Sequence, residues 1–131
     1  MRWLESLIWP EQSERFGILR RAVEIASAEP PHVATGDLVR DLPALAAQAP
    51  RDATLVVFHT AVLAYVDLAG RQALAEAVEQ LDACWLSNEA PGVVPGTAVD
   101  TSGTSRFVLA LDGRPLALTG PHGGSIDWLT R

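Results

Sequence analysis

The spacing of apolar residues predicts one helix in the first third of the chain and two more farther along. The first helix lies between Pro10, which suits a first helical position because no amide donor is needed there, and Pro30-Pro31, which ends it. One face of this helix carries four apolar residues at helical spacing: Phe16, Leu19, Val23 and Ala26. The later helices are predicted to begin behind the N-cap candidates Asp41 and Asp67.

Three short apolar segments alternate with these helices and predict β-strands at residues 32–35, 53–59 and 83–87. The central segment, 53–59, is apolar without polar alternation, which predicts a strand covered on both faces. Alternating strands and helices favour parallel strands joined by right-handed crossovers, with helices on the faces of the sheet. The pattern therefore predicts an α/β fold with a three-layer αβα Rossmann-like sheet.

The pattern changes after residue 90. Residues 90–104 are rich in glycine and proline and have little periodicity, which is typical of a lid, a binding loop or a disordered segment. Asp112-Gly113 then separates two apolar segments, and this dipeptide is a strong β-hairpin signal. The sequence thus predicts a C-terminal antiparallel hairpin after the parallel strands.

Length and composition fit one globular domain over residues 1–131, large enough to bury a core without disulfides. The net charge is -6, and the ten basic residues are scattered arginines, which argues against a nucleic-acid partner. No apolar run approaches the roughly 20 residues that span a bilayer, and the start lacks a signal-peptide core. A single cysteine, Cys84, allows no internal disulfide and favours the cytoplasm, and its place in an apolar strand predicts that it packs in the core.

Polar pairs follow each predicted parallel strand: Gly36-Asp37, His59-Thr60 and Asn88-Glu89. Open parallel sheets bind ligands outside the carboxyl ends of their strands, so these side chains are expected to converge in one pocket. There Asp37 would accept hydrogen bonds, while His59 and Glu89 would act as acid and base. The alternative is that these residues only end strands or cap turns.

The sequence gives little support for a metal site, a phosphate-binding loop or a nucleophilic serine. The three histidines lack metal-ligand spacing, so no metal site is predicted. No glycine-rich phosphate loop and no nucleophile elbow is present. The four tryptophans are interpreted as core or interface anchors: Trp3, Trp9, Trp85 and Trp128.

Several segments together resemble a bacterial family known as domain of unknown function 2332. They are Trp3-Leu4-Glu5-Ser6-Leu7-Ile8-Trp9-Pro10-Glu11-Gln12, Gly36-Asp37-Leu38, Val56-Val57-Phe58-His59, Trp85-Leu86-Ser87-Asn88-Glu89 and Pro121-His122-Gly123. The likeness spans nearly the whole chain and implies no activity, because the family has none assigned. Members are usually longer, so the resemblance implies that this chain corresponds to their C-terminal part.

The order of elements in that part is similar to the second half of Rossmann-like S-adenosylmethionine-dependent methyltransferases. The similarity implies that Gly36 and Asp37 contact the cofactor, that His59 and Thr60 lie on the substrate side, and that the hairpin around Gly113 ends the sheet. Asn88 and His122 are further candidates for substrate binding. The glycine-rich first strand-turn and the acidic residue that ends the second strand in such enzymes have no counterpart here.

Three functional hypotheses follow. The first is a methyltransferase-like domain that is inactive alone or depends on a partner. The second is a small-molecule-binding protein or enzyme that uses Asp37, His59 and Glu89. The third is an interaction module, and a homodimer is expected if a second copy of the chain covers the exposed edge of the sheet.

Overall fold

The computed structural model describes residues 2–129, which fall into two compact units divided between Thr35 and Gly36. The first unit contains α1 (Arg2–Ser6) and α2 (Ser13–Ala28), so the long helix predicted there is confirmed. The strand predicted at 32–35 is wrong, because these residues have no regular secondary structure. Pro30 and Pro31 stand directly before it and supply no amide donors for a strand pairing.

The second unit is built around a five-stranded sheet in the order β1-β2-β3-β4-β5. Only β1 and β2 are parallel, and every later neighbour is antiparallel. The strands are β1 (Val56–Thr60), β2 (Cys84–Glu89), β3 (Phe107–Leu111), β4 (Arg114–Thr119) and β5 (Ile126–Trp128). The helices are α3 (Leu42–Ala46) and α4 (Leu68–Glu79), with short 3₁₀ turns at Leu63–Tyr65 and Pro121–Gly123.

The fold is therefore α/β with a mixed sheet, and the predicted hairpin corresponds to β3 and β4. The three-layer Rossmann arrangement is not confirmed, because two strands are parallel rather than three. The apolar end of the chain adds β5, a strand outside the predicted set, which pairs with β4.

The two faces of the sheet have different surroundings. On the covered face, Trp85 packs with the buried residues of α4 and the loops in one core cluster: Leu63, Leu74, Ala75, Val78 and Val94. On the opposite face Val56 is 50% exposed and Phe58 is 71% exposed. The prediction that the central strand is covered on both faces is thus wrong, because within the described residues this core forms against one face only.

We call this opposite surface the open face and define it by the strand register and the alternation of side chains. Its residues are Val56, Phe58, Thr60, Cys84, Leu86, Asn88, Phe107, Leu109, Leu111, Arg114, Ala117, Thr119, Ile126 and Trp128. Of these, Ala117 and Thr119 are buried. Cys84 is an exposed free thiol, so the prediction that it packs in the core is wrong. It is the first residue of β2, and its position opposite Val56 turns it away from α4.

Of the two predicted helix caps, Asp67 makes the expected contact. Its Oδ1 accepts a hydrogen bond from the Gly70 amide at 2.7 Å, which satisfies a donor in the first turn of α4. Asp41 stands at the N-cap position of α3 but has helical backbone angles and no capping bond from its side chain. Its carboxylate is engaged in the preceding turn instead.

The cap at Asp67 gives a direct stability prediction. Asp67→Ala should lower the free energy of unfolding by about 1 kcal/mol, because it leaves an amide of α4 without an acceptor. Asp67→Ser, which keeps an acceptor, should retain most of the stability in the same urea titration. Equal losses in the two variants would show that the capping bond contributes nothing measurable.

Candidate functional site

His59 and Glu89 form a buried pair at the carboxyl end of the parallel strands. The parallel register sets His59 beside Ser87, so Glu89, two residues farther on, is on the same face. Nδ1 of His59 lies 2.8 Å from Oε1 of Glu89, and the two side chains are only 8% and 1% exposed. The structure therefore brings the predicted acid–base pair together, but inside the covered face.

Glu89 also holds the loop that follows β1. Its Oε1 accepts hydrogen bonds from the amides of Val62 at 2.9 Å and Leu63 at 3.2 Å. Ala61 has a φ of 51°, a left-handed conformation that is uncommon for alanine. This turn directly after the strand precedes the two amides that Glu89 binds, so one carboxylate oxygen fixes both the imidazole and the loop.

Trp85 determines which nitrogen of His59 carries the proton. The indole N–H, which can only donate, lies 3.0 Å from Nε2 of His59. Nε2 is therefore an unprotonated acceptor, and Nδ1 carries the hydrogen that is donated to Glu89. Both ring nitrogens are thus engaged, and in this arrangement His59 has no free lone pair with which to take a proton from a substrate.

The second oxygen of Glu89 has a different environment. Oε2 is buried and has no hydrogen-bond partner among the described residues. Buried carboxylate oxygens are normally paired, so this atom is the unsatisfied acceptor of the site. It is the one position in the pair that an additional donor would stabilise.

Gly36 and Asp37 lie in a turn that satisfies its own polar groups. Oδ1 of Asp37 accepts from the amides of Val39 and Arg40, at 3.0 and 2.8 Å. Oδ2 of Asp41 accepts from the Asp37 amide at 2.7 Å, and the same oxygen would lie 2.7 Å from a Cβ added to Gly36. Glycine is needed there because the carboxylate approaches the backbone so closely.

Charge within this turn is balanced locally. The Arg40 guanidinium, which bonds to the Asp41 carboxylate, and then the Asp37 amide hold the pKa of Asp41 below its usual range. None of the described hydrogen bonds or ion pairs joins Asp37 to His59 or Glu89. The expected convergence of all three side chains is therefore seen for two of them, and the cofactor-binding role of Gly36 and Asp37 stays a prediction.

The predicted substrate-side residues Thr60 and Asn88 lie on the open face. The Asn88 amide donates to Oγ1 of Thr60 at 3.3 Å, and the Thr119 hydroxyl donates to Oδ1 of Asn88 at 2.7 Å. Successive residues of a strand point to opposite faces, which separates this polar row from His59 and Glu89. His122 is exposed in the turn that follows β4, near the same edge of the sheet, and has a φ of 58°.

Three residues that shape this region are not among the predicted site residues. Trp85 is predicted only as an anchor, although period-two alternation already sets it on the same face as Ser87 and Glu89. Thr119 reaches Asn88 only because β3 brings β4 close to β2, and no local pattern signals this. The left-handed Ala61 carries no sequence signal, because glycine or asparagine would be the expected residue there.

Cavities lie at the edge of the sheet opposite His59 and Glu89, where β2 begins. One, of about 430 Å³, is lined by residues of α4, the start of β2 and the β3–β4 turn. A second, of about 410 Å³, is lined by residues 51–55 and 82–84. Within residues 2–129 there is no cluster of three potential metal ligands, and no helix has the length and apolar character needed to cross a bilayer.

Removing the Glu89 carboxylate should destabilise the fold strongly. Glu89→Ala leaves one buried donor and two partly buried donors without their acceptor, and we expect the free energy of unfolding to fall by about 3 kcal/mol or more. Glu89→Gln keeps a carbonyl oxygen and should lose clearly less. Urea unfolding, with hydrogen exchange at the Val62 and Leu63 amides, measures both effects.

Glu76→Ala on the exposed side of α4 is the control for removal of a carboxylate and should change stability by less than about 0.5 kcal/mol. A Glu89→Ala protein as stable as this control would contradict the role assigned to Glu89.

Comparison with known proteins gave one match. A family described as "Uncharacterized protein conserved in bacteria (DUF2332)" matches residues 1–128. No match was found among curated proteins or among solved structures. Because the match covers nearly the whole sequence, this chain belongs to that bacterial family.

Proposed function

We propose that this chain is a methyltransferase-like α/β domain that does not bind the cofactor by itself and that works as a self-associating module. The observation that carries the proposal is the open face, which combines a broad apolar surface with little charge. The acid–base pair and the Gly36–Asp41 turn support the absence of independent catalysis.

The open face has the character of an association surface. Phe58 on β1 and Trp128 on β5 are about equally exposed, at 71% and 68%. Val56 and Ile126 are exposed on the same two strands, and Leu111 is exposed on β3 between them. Large apolar side chains exposed on one face of a soluble protein favour an interaction site there. The polar row of Thr60, Asn88 and Thr119 supplies neutral hydrogen-bonding groups within it.

The distribution of charge supports a second copy of the chain as the occupant. The chain has a net charge of -6, yet the residues that define the open face include a single charged side chain, Arg114. Two copies can therefore meet through this face without bringing acidic groups together. A twofold axis would place each apolar residue against the same surface of the partner.

The site chemistry supports the catalytic part of the proposal. Both nitrogens of His59 are occupied, and Asp37 uses its carboxylate to bind the amides of its own turn. A residue that catalyses proton transfer must reach the proton it moves. These groups are instead committed to holding the end of the sheet and the turn.

One observation favours the alternative, an enzyme or small-molecule-binding protein that uses Asp37, His59 and Glu89. The unsatisfied Oε2 of Glu89 is an acceptor that a ligand donor would satisfy. Such a ligand would need the loop after β1 to move, because the oxygen is buried. Thermal unfolding in the presence of the cofactor distinguishes the two proposals.

Self-association is tested by size-exclusion chromatography with light scattering over a concentration series. The wild-type chain should show a mass of twice 14.0 kDa, and Phe58→Glu should be a monomer because it places a charge among the exposed apolar side chains of the open face. Tyr65→Glu is the matched control, since Tyr65 is 91% exposed but lies in the turn after β1 and not on that face. A wild-type monomer at every concentration would overturn the proposed association.

Cofactor binding is tested by thermal unfolding with millimolar S-adenosylmethionine or its demethylated product. The proposal predicts no rise in Tm, because a ligand stabilises a protein only if it binds the folded state. A rise that grows with ligand concentration and disappears in Asp37→Asn would contradict the proposal. That result would instead support the alternative enzyme.

A further inference from the structure

The cavity of about 430 Å³ at the amino-terminal end of β2 combines apolar walls with acidic groups. Ala75 and Val78 of α4 and Trp85 of β2 are apolar residues of its lining, and Glu79 and Asp112 are acidic residues of its lining. Its volume lies in the range of about 300–1,000 Å³ typical of sites for small organic ligands. It is at the opposite edge of the sheet from His59 and Glu89 and shares no residue with the open face.

The position of one carboxylate is fixed by the hairpin turn. Oδ1 of Asp112 accepts from the Trp85 amide at 2.8 Å, while the Asp112 amide donates to the Trp85 carbonyl at 2.8 Å. Asp112 and Gly113 have φ values of 50° and 72°, which define the left-handed conformations of the turn. The second oxygen, Oδ2, has no hydrogen bond among those described and is available to a ligand.

Neither acidic group has a cationic partner within residues 2–129. None of the ion pairs in this part of the chain includes Glu79 or Asp112. Two carboxylates beside an apolar wall attract a cation. Trp85 is 6% exposed and its indole N–H is bonded to His59, so this residue of the cavity lining is held in place.

We propose that this cavity binds a small organic cation, in which an apolar or aromatic body carries a protonated primary amine. The body would contact Ala75, Val78 and the Trp85 ring, and the ammonium group would lie between Glu79 and Asp112. An anion is disfavoured by the same two carboxylates, and a neutral ligand would leave them without a partner. The inference is independent of the proposed self-association.

The experiment uses the full chain and three probes of similar shape: 2-phenylethylamine, 2-phenylethanol and 3-phenylpropanoate. Binding is followed by heteronuclear NMR at the Trp85 indole N–H and the Gly113 amide. The amine should shift both signals in a saturable way, while the alcohol binds at least about fivefold more weakly and the acid does not bind.

Variants locate the site. Asp112→Asn keeps the Oδ1 acceptor and suits the left-handed turn, and Glu79→Gln keeps the length of the side chain; each should weaken amine binding about fivefold. Glu76→Gln is the matched control on the same helix, because Glu76 lies outside the cavity lining, and it should leave binding unchanged. Ala83→Leu, which fills the cavity, should abolish binding.

Three outcomes would overturn the proposal. They are the absence of saturable shifts with the amine, equal binding of amine and alcohol, and equal weakening by the Glu76→Gln control. Urea unfolding of each variant shows whether the fold persists, and the probe series in the wild-type chain tests the proposal without any variant.

Discussion

The hydrogen bond between His59 and Glu89 is the contact on which the carboxyl end of the parallel strands depends. It joins β1 to β2 through side chains, beyond the backbone pairing of the two strands. The same Glu89 oxygen binds the amides of Val62 and Leu63, and the other nitrogen of the imidazole accepts from Trp85. Because the Glu89 carboxylate is buried and its donors are buried or partly buried, loss of the carboxylate would leave three donors without their acceptor at once.

This network places a histidine and a glutamate, two residue types often found in active sites, within the covered face of the sheet. A histidine and a glutamate at adjacent strand ends fit the usual site of an α/β sheet. Here the alternation of side chains turns them toward α4, where their polar atoms bind one another and the loop. The neighbouring residues Thr60 and Asn88 point the other way and become part of a largely apolar surface. Each face of the sheet thus has its own chemistry.

Trp85 connects the two ends of β2. Its side chain donates to His59 at the carboxyl edge, while its backbone pairs with Asp112 of the hairpin turn at the other. Trp85 also belongs to the lining of the cavity of about 430 Å³. A ligand in that cavity would therefore lie against Trp85, the residue that fixes the tautomer of His59. Trp85 thus links the cavity to the pair of His59 and Glu89.

Local patterns in the sequence determined most of the elements. Helical spacing identified α2, the alternation of helices and strands identified β1, α4 and β2, and Asp112-Gly113 identified the hairpin, because each signal depends on neighbours within a few residues. The N-cap at Asp67 and the closeness of His59 to Glu89 also followed from local chemistry and strand direction. The family likeness rested on segments spread along the whole chain.

Only the tertiary structure determined which face of each strand and helix packs against a neighbouring element. The apolar run in β1 did not reveal that its two faces differ, because hydrophobicity records a preference for burial and not the presence of a partner. The contact of Thr119 with Asn88, the pairing of Trp85 with His59 and the exposure of Cys84 depend on register between strands distant in sequence. The prediction of a strand at 32–35 was wrong for the same reason, since a strand exists only where another strand supplies its hydrogen bonds.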